Sequence, residues 1–191
     1  SEMCIRDRHE LMPSSAAPGQ MSVRAIHEAR HLLGLLPRRR LFLLGSPIAQ
    51  SQSPLIHNTG FQVLGLPHVY ERFETSTVDE RLVQLLHAPD FGGASVTIPL
   101  KLSIMQLLDS ISPEAQVIGA VNTIVPRRDS DTGQVALHGE NTDWHAIYDR
   151  ARAAHVRSDG LVALVIGAGG SARAALYLSL IHISEPTRLG M

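Results

Sequence analysis

The chain has 191 residues, 44% of them hydrophobic and 18% charged, with a formal net charge of −1. This size and apolar content support one ordinary domain or two small ones around a packed core and exclude wholesale disorder. The near-neutral charge leaves no electrostatic footprint for nucleic acid or an anionic membrane, no apolar run reaches membrane-spanning length, and a single cysteine, Cys4, excludes an internal disulfide framework.

With no signal-peptide pattern at the N-terminus, a cytoplasmic protein is expected. Residues 1–8, SEMCIRDR, lack periodicity, and PSSAAPGQ at 13–20 reads as a loop. SVRAIHEARHLLGLL, 22–36, predicts an amphipathic helix with Ser22 as its N-cap. Within it, HEARH satisfies H-E-x-x-H, the zinc-protease pattern. His27, Glu28 and His31 have no compelling third ligand downstream, so no metal is expected. PRRR, 37–40, reads as a solvated basic linker.

RLFLLGS, 40–46, predicts a buried strand, followed by the polar loop PIAQSQSP and the helix LIHNTGFQVLGL. HVYERFET, 68–75, alternates as a strand; VDERLVQLLHA is a helix and GGASVTI a strand. Pro99 suits the first position of a helix, and PLKLSIMQLLD continues with helical spacing. AVNTIVPRR and QVALHGENTD predict a β-hairpin turned by DSDTG, and WHAIYDRARAAHV a helix. LVALVIGAGG, 161–170, predicts an apolar strand ending in glycines, and SARAALYLSL the start of a helix. Strands alternating with helices predict an α/β fold with a mainly parallel sheet.

Four stretches carry chemistry. VIGAGGSARAAL has the form G-x-G-x-x-A between a strand and a helix. Gly167 permits the tight turn, Gly169 lets backbone N–H groups approach a diphosphate, and Ala172 allows close packing. The bland alternative is a turn that merely needs glycines. SPIAQSQSPLIHN places Ser46, Ser51, Ser53 and Asn58 after a strand, suited either to a small oxygen-rich anion or to capping the next helix through Ser53 and Pro54. In GENTDWHAI, Asn141, Thr142 and Asp143 fall at a helix start, where Asp143 is a good N-cap or a partner for a cation. Lys101 is the only lysine in the chain, against 16 arginines. At a helix N-terminus its charge would be mildly unfavourable. It is either a surface lysine or one retained because lysine, unlike arginine, readily gives up a proton.

GSPIAQSQSPLIHN, GGASVTIPLK, IGAVNTI, GENTD and VIGAGGSARAA together resemble shikimate dehydrogenase, in that family's order and spacing from about residue 40 to about residue 178. NTDW and GGASVTIPLK resemble the fungal form, the last domain of the pentafunctional AROM polypeptide. SSAAPGQMSVRAIHEARHLL is similar to the C-terminal loop and helix of type I 3-dehydroquinase, the preceding domain there. The resemblance implies NADP-dependent interconversion of 3-dehydroshikimate and shikimate, on the way to aromatic amino acids. It implies an α/β substrate domain with a mixed sheet, followed by the first βα unit of a Rossmann domain. Lys101 and Asp143 would form the catalytic pair. Ser51 and Ser53 would bind the substrate carboxylate, and Thr97, Asn122 and Asp143 its ring hydroxyls. Gly167, Ala168, Gly169, Gly170 and Ser171 would cradle the cofactor diphosphate. Ser95 stands where many bacterial relatives carry asparagine.

The boundaries this implies are a dehydroquinase tail at 9–36, a shikimate-binding domain at 40–150 and the opening of an NADP-binding domain at 160–178. Residues 1–8 and 179–191 match neither pattern and read as non-native tails of a gene fragment, which is expected not to perform the reaction alone. Quinate dehydrogenase is the nearest alternative. A non-catalytic quinate-type regulatory protein shares the fold, but intact Lys101 and Asp143 speak against it.

Overall fold

A computed structural model describes residues 21–129, 132–154 and 164–182. The expected tail at 1–8 and residues 183–191 lie outside them. The elements are α1 (Val23–Leu32), β1 (Arg40–Gly45), α2 (Ser53–Leu64), β2 (Val69–Glu74), α3 (Glu80–Leu86), β3 (Phe91–Val96), β4 (Ser110–Ile111), α4 (Pro113–Ile118), β5 (Thr123–Arg128), β6 (Val135–Glu140), α5 (Asp143–Ala153) and α6 (Gly170–His182), with a 3₁₀ turn at Ser103–Leu107. The strands form one sheet in the order β2-β1-β3-β5-β6-β4.

From Leu41 to Gly45 the run RLFLLG is apolar because β1 is central. It pairs in parallel with β2 and β3 along its two edges, and packed side chains cover both its faces. Phe42 and Leu44 join Leu82 and Leu86 of α3, Ile104, Ile124 and Leu137 on one face. Leu43 meets Ile48 and Tyr70 on the other. Each such side chain contributes roughly 1.5–3 kcal/mol relative to exposure. β1 ends at Gly45 because a Cβ there would lie 2.5 Å from the Thr97 side chain and 2.6 Å from the Ile98 carbonyl oxygen.

The sheet is mixed, as the family resemblance implies, rather than mainly parallel as the alternation of elements predicts. The predicted hairpin forms, with Thr123 opposite Glu140 and Arg128 opposite Val135. A hairpin reverses direction, so β5 runs antiparallel to both β3 and β6. Residues 130–131 of its turn lie outside the described residues. α4 and β4 have no counterpart in the sequence reading. Ser112 caps α4, Pro113 begins it and Gly119 ends it in the left-handed conformation, but six residues are too few for a periodic signal.

Two expectations fail. PLKLSIMQLLD does not form an α-helix. The Ile98–Pro99 peptide is cis, Leu100 N–H donates to the Thr97 carbonyl at 2.9 Å, and the Lys101 carbonyl accepts from Val121 N–H at 2.8 Å instead of from a following turn. Lys101 therefore sits in a turn, and the helix-dipole expectation lapses. The apolar run predicted as a strand over 161–170 is not one at residues 164–169, where Leu164 is 85% and Ile166 89% exposed. No strand lies beside it among the described residues to take up its backbone N–H and C=O groups. α6 forms as expected and continues through 179–182, the first residues of the expected tail. Ala174 of α6 packs with Ile118 and Ala120, flanked by Trp144, Ile147 and Tyr177.

Candidate active site

The mixed topology gathers four chain segments at one end of the central strands. β1 and β3 end there, β5 begins beside β3, and β6 ends beside the start of β5. Loops after strand ends at such a point are where α/β sheets bind ligands. The result is a cleft of about 350 Å³ that brings together Ser51, Ser53, Thr97, Lys101, Asn122 and Asp143, every residue expected to be catalytic or to touch substrate. A larger cavity, about 420 Å³, lies at the opposite end of these strands between Arg39, His87, Phe91 and Arg128. It holds none of these residues and no acid–base pair.

Lys101 Nζ donates to Asp143 Oδ2 at 2.6 Å, with the two side chains 13% and 24% exposed. The pair is partly withdrawn from water yet opens onto the cleft. Asp143 does not cap α5 with its side chain. It is the first helical residue after Thr142, which leaves its carboxylate free to face the lysine. Asn122 Nδ2 donates to Asp143 Oδ1 at 2.8 Å, and Asn122 Oδ1 accepts from Thr142 N–H at 2.9 Å. Buried Asn141, 3% exposed, donates to the Ala120 carbonyl at 2.8 Å and accepts from Asp143 N–H at 3.0 Å, clamping the two loops together. Burial alone would raise the Asp143 carboxyl. The hydrogen bond and charge of Lys101, with hydrogen bonds from Asn122 and Ser171, outweigh it and hold the carboxyl below its ordinary value.

Ser51 and Ser53 stand together, Ser51 Oγ donating to Ser53 Oγ at 3.2 Å. Ser53 begins α2 instead of capping it: the cap position is Gln52, without a side-chain bond, and Pro54 follows. Arg72 holds their loop, its Nε donating to the Ile48 carbonyl at 3.1 Å and Nη2 to the Ser51 carbonyl at 2.6 Å. The sequence reading missed Arg72 because one arginine in an alternating strand carries no signal. It also missed Gln50 and Thr123, which line the cleft. Ser95 lines it too.

The glycine turn divides. A Cβ at Gly167 or Gly169 would meet nothing within 4 Å, so this backbone is open to a ligand at the start of a 13-residue helix, as a diphosphate requires. Gly170 is buried instead, and Ser171, though exposed, turns its hydroxyl to the Lys101–Asp143 pair. Ser171 Oγ accepts from Lys101 Nζ at 3.2 Å and donates to Asp143 Oδ2 at 3.2 Å.

The H-E-x-x-H residues make ordinary contacts. His27 Nδ1 lies 2.7 Å from the Leu64 carbonyl oxygen, His31 Nδ1 lies 2.9 Å from that of Leu36, and Glu28 pairs with Arg24. Among the described residues, no three His, Cys, Asp or Glu side chains form a metal-binding group, and no helix is long and apolar enough to cross a membrane.

A mixed sheet with a polar cleft at one end of its strands, joined to a helix that begins in a glycine turn, defines an α/β protein. Residues 43–124 match the family model described as the shikimate dehydrogenase substrate binding domain. The chain is 71% identical over 170 residues to the pentafunctional AROM polypeptide of Malassezia globosa, and 52% identical over 174 residues to that of Schizosaccharomyces pombe. Each alignment covers 88% of this chain and 11% of the relative. The dehydroquinate dehydratase and shikimate dehydrogenase structure from S. pombe AroM superposes with a TM-score of 0.72 at 50% identity, over 90% of this chain and 32% of that one. Shikimate dehydrogenase from Thermus thermophilus, in complex with NADP(H) and shikimate, superposes with a TM-score of 0.61 at 37% identity, over 75% of this chain and 52% of that one. The chain is thus similar to shikimate dehydrogenase, and it spans about a tenth of the length of the AROM relatives it matches.

Proposed function

We propose that this chain is the shikimate-binding part of an NADP-dependent shikimate dehydrogenase, acting within a larger multidomain shikimate-pathway polypeptide in the cytoplasm. In this reading residues 40–150 are the substrate domain, 160–178 open the cofactor domain, and 9–36 are the tail of a 3-dehydroquinase. The observation that carries it is the 2.6 Å Lys101–Asp143 pair on the wall of a cleft shared with Ser51, Ser53, Thr97 and Asn122.

Reduction of a ring ketone builds negative charge on its oxygen. The Lys101 ammonium stabilises that charge and supplies the proton, and Asp143 keeps the ammonium oriented. Ser51 and Ser53 hold the carboxylate of 3-dehydroshikimate. Thr97, Asn122 and Asp143 hold its hydroxyls, which fixes the carbonyl against Lys101. When bound, NADPH supplies the hydride to the ketone carbon. Its diphosphate would rest on Gly167, Ala168 and Gly169 at the start of α6, where the backbone is open.

The test is Lys101→Ala in the full-length polypeptide. Loss of a general acid should lower kcat by about 10²–10⁴ while the substrate KM changes less. A variant with near-normal kcat would sink the reading.

A further inference from the structure

We propose that Gly170 and Ser171, at the start of α6, are positioning residues for the Lys101 ammonium. This goes beyond any part they take in holding the diphosphate, and it rests on the dehydrogenase reading above. An ammonium carries three protons at the end of a flexible stem, so one partner leaves it free to swing. Here two partners are fixed. Lys101 Nζ donates to Asp143 Oδ2 at 2.6 Å and to Ser171 Oγ at 3.2 Å, and the serine hydroxyl closes the ring by donating to the same Asp143 oxygen at 3.2 Å. The third proton is left a defined direction.

The stem is set in the same way. A Cβ at Gly170 would lie 2.9 Å from Lys101 Cδ, 3.2 Å from Lys101 Cβ and 3.2 Å from Ala120 Cβ. The bare backbone of α6 is thus the surface against which the lysine lies. α6 is itself held by Ala174 against Ile118 and Ala120, with Tyr177 edge-on to Trp144, the residue after Asp143. The run GAGGS therefore serves two tasks: 167–169 face open space, and 170–171 face the proton donor.

Substitutions in the full-length polypeptide separate the two. Ser171→Ala should lower kcat about tenfold, the scale of one lost charge-assisted hydrogen bond, with KM for NADP and shikimate within about twofold. Ser171→Thr, which keeps the hydroxyl, should retain most of the rate. Gly170→Ala should also lower kcat, although alanine is otherwise the better helix residue. Gly169→Ala should instead raise KM for NADP, since its Cβ meets only an approaching ligand. A readout without cofactor comes from mass-spectrometric amine labelling: Lys101 should be acylated faster in Ser171→Ala than in the parent. Unchanged kcat and labelling in Ser171→Ala, beside an inactive Lys101→Ala, would overturn this proposal alone. So would a Ser171→Ala defect confined to KM for NADP. A Lys101→Ala polypeptide of normal kcat would overturn the parent reading with it.

Discussion

At the scale of single residues, the proposed chemistry rests on what lysine does that arginine cannot. The chain places its positive charges on arginine everywhere except position 101. Lys101→Arg should therefore not restore the rate lost in Lys101→Ala, because a guanidinium keeps its proton and its planar fork does not replace a point charge. Asp143→Asn should impair both binding and rate, since the carboxylate holds the lysine and, in the proposed reaction, would face the substrate. The double variant should be little worse than Lys101→Ala alone if the two act as one unit; steady-state kinetics with additive losses would separate them. The pair also sets a pH dependence. Asp143 is held below its ordinary value, first against burial and then by Lys101, Asn122 and Ser171. Its stabilising contribution is complete above the unfolded carboxylate value of about 3.9 and is lost as pH falls through the lower folded value. Urea denaturation across a pH series should show the gap between parent and Asp143→Asn greatest near neutrality and closing in acid. A gap that widens on acidification would contradict the assignment.

At the scale of elements, strands position the site through backbone carbonyls that sequence does not advertise. Arg72 of β2 reaches the Ile48 and Ser51 carbonyls, so it fixes the loop that presents Ser51 and Ser53. Arg72→Ala should raise the shikimate KM about five- to tenfold, with kcat within twofold, because carboxylate binding is shared by ground and transition states. Arg72→Lys should fall between, since a point donor cannot serve both carbonyls. Ser53→Ala should act in the same direction, and a loss confined to kcat would exclude the clamp. The contrast between Arg72 and its neighbours shows what sequence can carry. β1, β3 and the β5–β6 hairpin were legible because burial imposes a pattern on several residues at once. Ser51, Ser53 and Asp143 stood out in the sequence as polar residues beside a strand end or helix start, whereas Thr97 and Asn122 came only from the family resemblance, because a single threonine or asparagine in a mostly apolar run carries no pattern. The segment 99–109 was not. Its helical spacing is real, but a tertiary bond from the Lys101 carbonyl to Val121 N–H takes up the backbone group a helix would need. α4 was invisible for the opposite reason, having good caps and too little length.

At the scale of the whole molecule, the described residues divide into a completed sheet and an uncovered connection. The sheet buries both faces of β1, and α6 is seated on α4 and α5 through Ala174 and Tyr177. Between them Leu164 and Ile166 stand almost fully in solvent, in a run whose composition is that of a strand interior. The chain spans 32% of the S. pombe two-enzyme structure it resembles, so a longer polypeptide has further chain with which to cover them. The same substitution should then have opposite effects in the two contexts. In the 191-residue chain, Leu164→Ser with Ile166→Ser should improve soluble yield and leave the thermal midpoint of the sheet unchanged, since these side chains contact little. In the full-length polypeptide, the double substitution should destabilise by roughly 2–5 kcal/mol, the range for removing buried aliphatic side chains, and should raise KM for NADP by disturbing the turn at Gly167. Limited proteolysis gives the independent check. Cleavage near 164–169 should be early in the short chain and late in the long one. Equal susceptibility in both, with no stability loss in the long chain, would mean that the apolar run stays exposed there and that α6 is held in place by its contacts with α4 and α5 alone.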